Sequence, residues 1–130
     1  MKSILIVEDS SIETEIYRKL LSKDFLTHFE LTAEGALKSI QNNSFDLLVS
    51  DANLPGMSGP RLIKTVRANG FCPGISIVAV SGDRKGIEDA IASGADAWFL
   101  KPINHKIFQQ SLQTILDKKA APSPSDNFLT

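Results

Sequence analysis

The chain has 130 residues, enough for one compact domain with a hydrophobic core and too few for two ordinary ones. Hydrophobic residues make up 42% and charged residues 22%, the proportions of an ordinary folded domain, which excludes disordered, collagenous and disulfide-scaffold classes. With 14 basic against 15 acidic side chains the formal net charge is -1, so no broad positive field exists to hold nucleic acid or an anionic membrane.

The chain opens on Met1, Lys2, Ser3 and a short apolar run, Ile4 to Val7, cut off by Glu8 and Asp9. That run is far short of a signal-peptide core or a membrane span, so a cytoplasmic protein is expected. Ser10 and Glu13 form a candidate capping box, and Ile12, Ile16 and Leu20 at i, i+4, i+8 predict the apolar stripe of a first helix. A second run, Phe29 to Leu31, precedes a helix marked by Ala33, Leu37 and Ile40. Leu47 to Val49 is the third run. The helix after it carries Leu62, Ile63 and Val66, and Gly59 and Pro60 start it rather than break it, because proline is tolerated in a first turn. Cys72 is the only cysteine; it can close no internal disulfide, and it reads as a small filler before the fourth run, Ile75 to Val80. Ile87 to Ala92 predicts a short, weakly amphipathic fourth helix. Ala97 to Leu100 is the fifth run, and Ile107, Phe108, Leu112, Ile115 and Leu116 share one side of a fifth helix. His28, at a strand start, and His105, at a helix start, read as surface residues. Beyond Lys119 the segment Ala-Ala-Pro-Ser-Pro-Ser-Asp-Asn cannot bury enough apolar surface to order itself. A domain over 1–119 and a disordered tail or linker remnant over 120–130 are therefore expected.

Five strand–helix units in series predict an α/β fold, (βα)5, with a doubly wound five-stranded parallel sheet covered by helices on both faces. The chain has neither a Gly-x-Gly-x-x-Gly fingerprint nor a phosphate-binding Lys-Ser/Thr loop, which removes the main support for nucleotide folds. In open α/β sheets ligands bind beyond the carboxyl ends of the strands. Glu8 and Asp9 follow the first strand, Asp51 ends the third, Ser81 the fourth and Lys101 the fifth. In a flavodoxin-like strand order, 2-1-3-4-5, the first and third strands are neighbours and one site collects all five side chains. Three carboxylates so close repel, and one lysine cannot neutralise them, so the cluster should raise a pKa or recruit a cation. Oxygen ligands without His or Cys favour Mg2+. A carboxylate can attack phosphorus to give an acyl phosphate, with positioning and charge neutralisation carrying the rate.

At this point the chain resembles the response-regulator receiver family over residues 1 to about 117. The resemblance rests on Ile-Leu-Ile-Val-Glu8-Asp9, Asp51-Ala-Asn-Leu-Pro-Gly-Met-Ser-Gly59, Val80-Ser81-Gly82 and Lys101-Pro102, whose order and spacing together are highly specific. It implies a two-component phosphorelay switch in which Asp51 is the phosphoacceptor. Glu8 and Asp9 would hold magnesium directly or through water, and the Asn53 backbone carbonyl would complete the metal shell. Ser81 resembles the switch hydroxyl, Lys101 the phosphate-pairing base, and Trp98 stands where the family usually has a rotating Tyr or Phe. By the same resemblance the Lys101–Pro102 bond is a cis candidate, Gly82 leaves the backbone beside the phosphate accessible, and Asn53 and Asp83 tune the lifetime of the aspartyl phosphate.

The resemblance implies a histidine kinase or histidine phosphotransfer protein as donor, a downstream protein as target, and possible dimerisation on activation. It implies a signalling switch, not an enzyme acting on external substrates. Two other functions compete. A haloacid-dehalogenase-type phosphatase also uses a strand-end aspartate with magnesium, but it demands Asp-x-Asp-x-Thr/Val where this chain has Asp51-Ala-Asn53-Leu-Pro55. A pseudo-receiver docking module would need none of the five site residues, all of which are present.

Overall fold

The computed structural model describes residues 1–118; Lys119 and the tail expected over 120–130 lie outside them. The strands are Ser3–Val7 (β1), Leu26–Glu30 (β2), Leu47–Asp51 (β3), Ser76–Ser81 (β4) and Ala97–Leu100 (β5). They alternate with helices Ser11–Leu21 (α1), Ala33–Asn42 (α2), Gly59–Asn69 (α3), Arg84–Ser93 (α4) and His105–Lys118 (α5). All pairings are parallel and the sheet order is β2-β1-β3-β4-β5, the order expected.

Alternation along the strands divides the apolar side chains between two cores. Ile4, Ile6, Val49, Val78 and Val80 face Tyr17 and Leu21 of α1 and Phe108, Leu112 and Ile115 of α5. Leu5, Val7, Leu48, Ile77 and Ala79 face α2, α3 and α4 through Ala36, Ile40, Leu62, Ile63, Val66 and Ala90. Each of the first four helices begins on a side-chain cap. Ser10, Thr32, Ser58 and Asp83 accept from the backbone N–H groups of Glu13, Gly35, Arg61 and Gly86. Arg67 ties α3 to the far end of the sheet. Its Nε donates to the Gly94 carbonyl at 3.2 Å, Nη1 to the Ile75 carbonyl at 2.8 Å and Nη2 to Asp96 Oδ2 at 2.8 Å.

Several expectations are corrected. The stripe Ile12, Ile16, Leu20 is not the core face of α1: Ile12 is 75% exposed, Ile16 37%, and only Leu20 is partly buried against the core. At about 100° per residue a four-residue step advances 40° beyond a full turn, so such a series winds out of one face and into another. The buried face is Thr14, Tyr17 and Leu21, with the Tyr17 ring 5.8 Å from that of Phe108 on α5. Ile107 is likewise 54% exposed, one position before the fully buried Phe108. The second strand is Leu26–Glu30 rather than Phe29 to Leu31, because pairing with β1, from Ser3↔Leu26 to Val7↔Glu30, sets its limits. His28 thus sits mid-strand, still half exposed, with Nε2 2.8 Å from Glu30 Oε2. Cys72, expected as filler, has a positive φ of 49° and exchanges hydrogen bonds with the Phe45 backbone.

Candidate functional site

Parallel strands that end in step deliver their last residues to one edge. In the register, Val7 stands opposite Ser50, Asp51 opposite Val80 and Ser81 opposite Leu100, so Glu8, Asp51, Ser81 and Lys101 emerge side by side. Gly59 makes room for this. A Cβ there would overlap the Asp51 carbonyl oxygen, and the Gly59 N–H instead donates to the Ala52 carbonyl at 3.0 Å, seating α3 directly behind the acidic residue.

Glu8 and Asp51 are almost inaccessible, 2% and 7% exposed, whereas Asp9 lies open to water. One carboxylate oxygen from each of the three falls within 4.8 Å of the others. Lys101 reaches into the same space, with Nζ 3.3 Å from Glu8 Oε1 and 3.4 Å from Asp51 Oδ2. Its shortest contact is to neither: Glu13 Oε1, from the first turn of α1, lies 2.7 Å away. The remaining carboxylate oxygens are held by backbone. Ser10 N–H donates to Glu8 Oε2 at 3.0 Å and Asn53 N–H to Asp51 Oδ1 at 3.2 Å.

Burial dominates the electrostatics. It pushes the Glu8 carboxyl up from 4.5 to about 7, with Asp51 adding to the rise and the Ser10 N–H and Lys101 opposing it. Burial likewise lifts Asp51 above the usual aspartate value, against the Asn53 N–H and Lys101. For Lys101 burial opposes the charged amine, but the Glu13 hydrogen bond and the carboxylates of Asp51 and Glu8 outweigh it and hold the pKa above the usual lysine value. An all-oxygen trio that resists carrying three negative charges alone suits a hard divalent cation such as magnesium.

The profile of the response regulator receiver domain matches residues 4–113. The chain belongs to that family. A chemotaxis protein CheY of Pseudomonas aeruginosa is 29% identical over 119 residues, covering 88% of this chain and 96% of the relative. A CheY-like receiver domain protein from Methanospirillum hungatei superposes with a TM-score of 0.83 at 28% identity, covering 92% and 97% of the two chains. The receiver domain of the sensor histidine kinase PA1611 from Pseudomonas aeruginosa, solved with a magnesium ion coordinated in its active site cleft, shares the fold with a TM-score of 0.83 at 20% identity, covering 89% and 98%.

This receiver domain brings together Glu8, Asp9, Asp51 and Lys101, as the sequence predicts. Ser81 is at the same edge, fully buried, with its hydroxyl turned toward the start of α4. It accepts from the Asp83 N–H at 3.2 Å, and the Asn53 side-chain amide stands 3.5 Å away. Gly86 leaves that space free, since a Cβ there would overlap the Ser81 oxygen. Gly82 is exposed at the β4 exit, Asp83 caps α4, and the Lys101–Pro102 peptide bond is cis. Trp98 is half-buried on β5 opposite Ala79, with β4 between it and the strand that carries Asp51. No helix among the described residues is long and apolar enough to cross a membrane.

Glu13 is the site residue that sequence reasoning missed. The capping box forms only by half: Ser10 Oγ accepts from the Glu13 N–H at 3.2 Å, but the Ser10 N–H goes to Glu8, which leaves the Glu13 carboxylate for Lys101. The available signal was its place in the first turn of a helix that starts at the tip of a site strand.

Proposed function

We propose that this chain is a cytoplasmic phosphorelay switch in which Asp51 accepts a phosphoryl group from the phosphohistidine of a kinase or phosphotransfer protein. The observation that carries the proposal is the convergence of Lys101 Nζ with the buried Glu8 and Asp51 carboxylates, beside Asp9 and at the tip of β4 that carries Ser81. Magnesium, when bound, neutralises charge building on the transferred group. Glu8, Asp9, Asp51 and the Asn53 backbone carbonyl are the groups that would hold it. An Asp51 carboxylate oxygen attacks phosphorus, the donor's P–N bond breaks, and the departing imidazole nitrogen takes a proton. The Asn53 N–H already holds Oδ1, fixing the carboxylate plane for that attack.

Once the group is in place, Lys101 supplies a compact cation and Ser81 a hydroxyl donor to its oxygens. Ser81, whose hydroxyl rests against the Asp83 N–H, turns toward the group, and that rearrangement at the start of α4 is what a downstream protein reads across α4, β5 and α5, with Trp98 as the moving aromatic. Gly82 would leave the backbone beside the group accessible, Pro102 follows the lysine, and Asn53 and Asp83 would guide an attacking water. Intact-mass spectrometry with acetyl phosphate and magnesium tests the acceptor. The unaltered protein gains one phosphoryl group and Asp51→Asn gains none; no adduct on the unaltered protein, under conditions that label another receiver, refutes the reading.

A further inference from the structure

We propose that Glu13 is a positioning residue that competes with Glu8 and Asp51 for Lys101 in the resting protein, favouring metal entry, and gives the lysine up when a phosphoryl group arrives. The inference rests on the reading of Asp51 given above and adds a component to the same site.

Lys101 has three N–H donors and meets three carboxylates from three elements: Glu13 on α1, Glu8 after β1 and Asp51 on β3. The contact to Glu13 is shorter by 0.6 Å than that to Glu8 and by 0.7 Å than that to Asp51, taking 2.7 Å from 3.3 Å and 3.4 Å. Glu13 is also the one of the three that does not belong to the converging trio of Glu8, Asp9 and Asp51. A dication among that trio takes up the charge of Glu8 and Asp51 and repels the ammonium, which leaves Glu13 as the lysine's remaining acidic partner. The lysine has room to move. A cleft of about 380 Å³ lined by Glu13, Ile16, Tyr17, Lys101, Pro102 and Ile103 opens beside it.

Two opposed effects follow. By taking the shortest contact of the ammonium, Glu13 loosens its hold on Glu8 and Asp51, so the lysine yields more readily to magnesium and binding of the ion is strengthened. By competing for the same ammonium, it weakens the hold of Lys101 on a phosphoryl group. A residue that merely supported the fold would weaken both when replaced.

The test is a double-mutant cycle on magnesium affinity, measured calorimetrically, joined to a beryllofluoride titration at saturating magnesium. Glu13→Gln keeps the backbone N–H that Ser10 caps, so α1 retains its start. With Lys101 present, Glu13→Gln weakens magnesium binding about tenfold, whereas in a Lys101→Met background it weakens it only about twofold, the residue of bare charge removal. In the first background the same substitution tightens beryllofluoride about threefold or more. Equal magnesium losses in both backgrounds, unchanged or weaker beryllofluoride binding, or no magnesium binding by the unaltered protein overturn the proposal. Additive losses in a protein that does gain a phosphoryl group refute the role of Glu13 alone. A non-additive cycle in one that gains none refutes the acceptor reading alone.

Discussion

Metal-free protein should become less stable as pH rises through the range in which Glu8 ionises. Glu8 is 2% exposed and its carboxyl titrates near 7 in the folded chain against 4.5 when free, chiefly through burial. Between those values the folded form keeps a proton that the unfolded chain has released, so each added pH unit costs the native state about 1.4 kcal/mol. Over the window the loss is about 3 kcal/mol, complete by pH 7 to 8, and Asp51, whose pKa is raised by the same cause, acts in the same direction. Urea denaturation in chelator from pH 4.5 to 8 measures it, and Glu8→Gln removes the Glu8 share, so the difference between the two profiles isolates the group. Magnesium at about a hundred times its dissociation constant should restore about 2.7 kcal/mol at pH 7.5, because it binds the ionised form of the folded state only. A pH profile that matches that of Glu8→Gln, or one that rises through the window, refutes the assignment of the strain to this buried carboxyl.

Asp51→Asn removes one of the two buried like charges, so in chelator at neutral pH it should raise the melting temperature while cutting the shift that magnesium gives; a lower melting temperature counts against repulsion between Asp51 and Glu8. Gly86→Ala should destabilise although alanine is the better helix former, because the new Cβ displaces the Ser81 hydroxyl from the Asp83 N–H. In a Ser81→Ala background most of that cost should vanish, and thermal melts of the four proteins decide it. Arg67→Ala should cost about 2–3 kcal/mol in urea denaturation by leaving the Gly94 and Ile75 carbonyls and Asp96 without their shared donor; a loss below about 0.5 kcal/mol would mean that water replaces it freely.

The sheet and the site edge were legible because one signal carried both. Apolar runs mark parallel strands buried on two faces, and the charged or hydroxyl residues just past them, Glu8, Asp51 after Ser50, Ser81 and Lys101, mark where those strands stop. Helix phase was harder to read. In α1 the alignment of Ile12, Ile16 and Leu20 pointed to a face that winds into solvent, while the buried Thr14 and Tyr17 carry hydroxyls that do not announce a core position. The edge strand β2 has a single neighbour, and its Leu-Thr-His-Phe-Glu sequence offers no continuous run. Glu13 stayed hidden for a different reason. Local spacing assigns it to Ser10, and only the return of the chain at Lys101 supplies the partner that takes it away.

Glu8 and Lys101 are 93 positions apart in the chain, and Asp51 and Lys101 are 50 apart. During synthesis the ribosome therefore releases the acidic residues well before their counter-ion. The cleft acquires its chemistry only when β5 docks, so a nascent chain that stops short of Lys101 carries the carboxylates without the lysine, and chemical competence reports that the sheet has closed its last pairing.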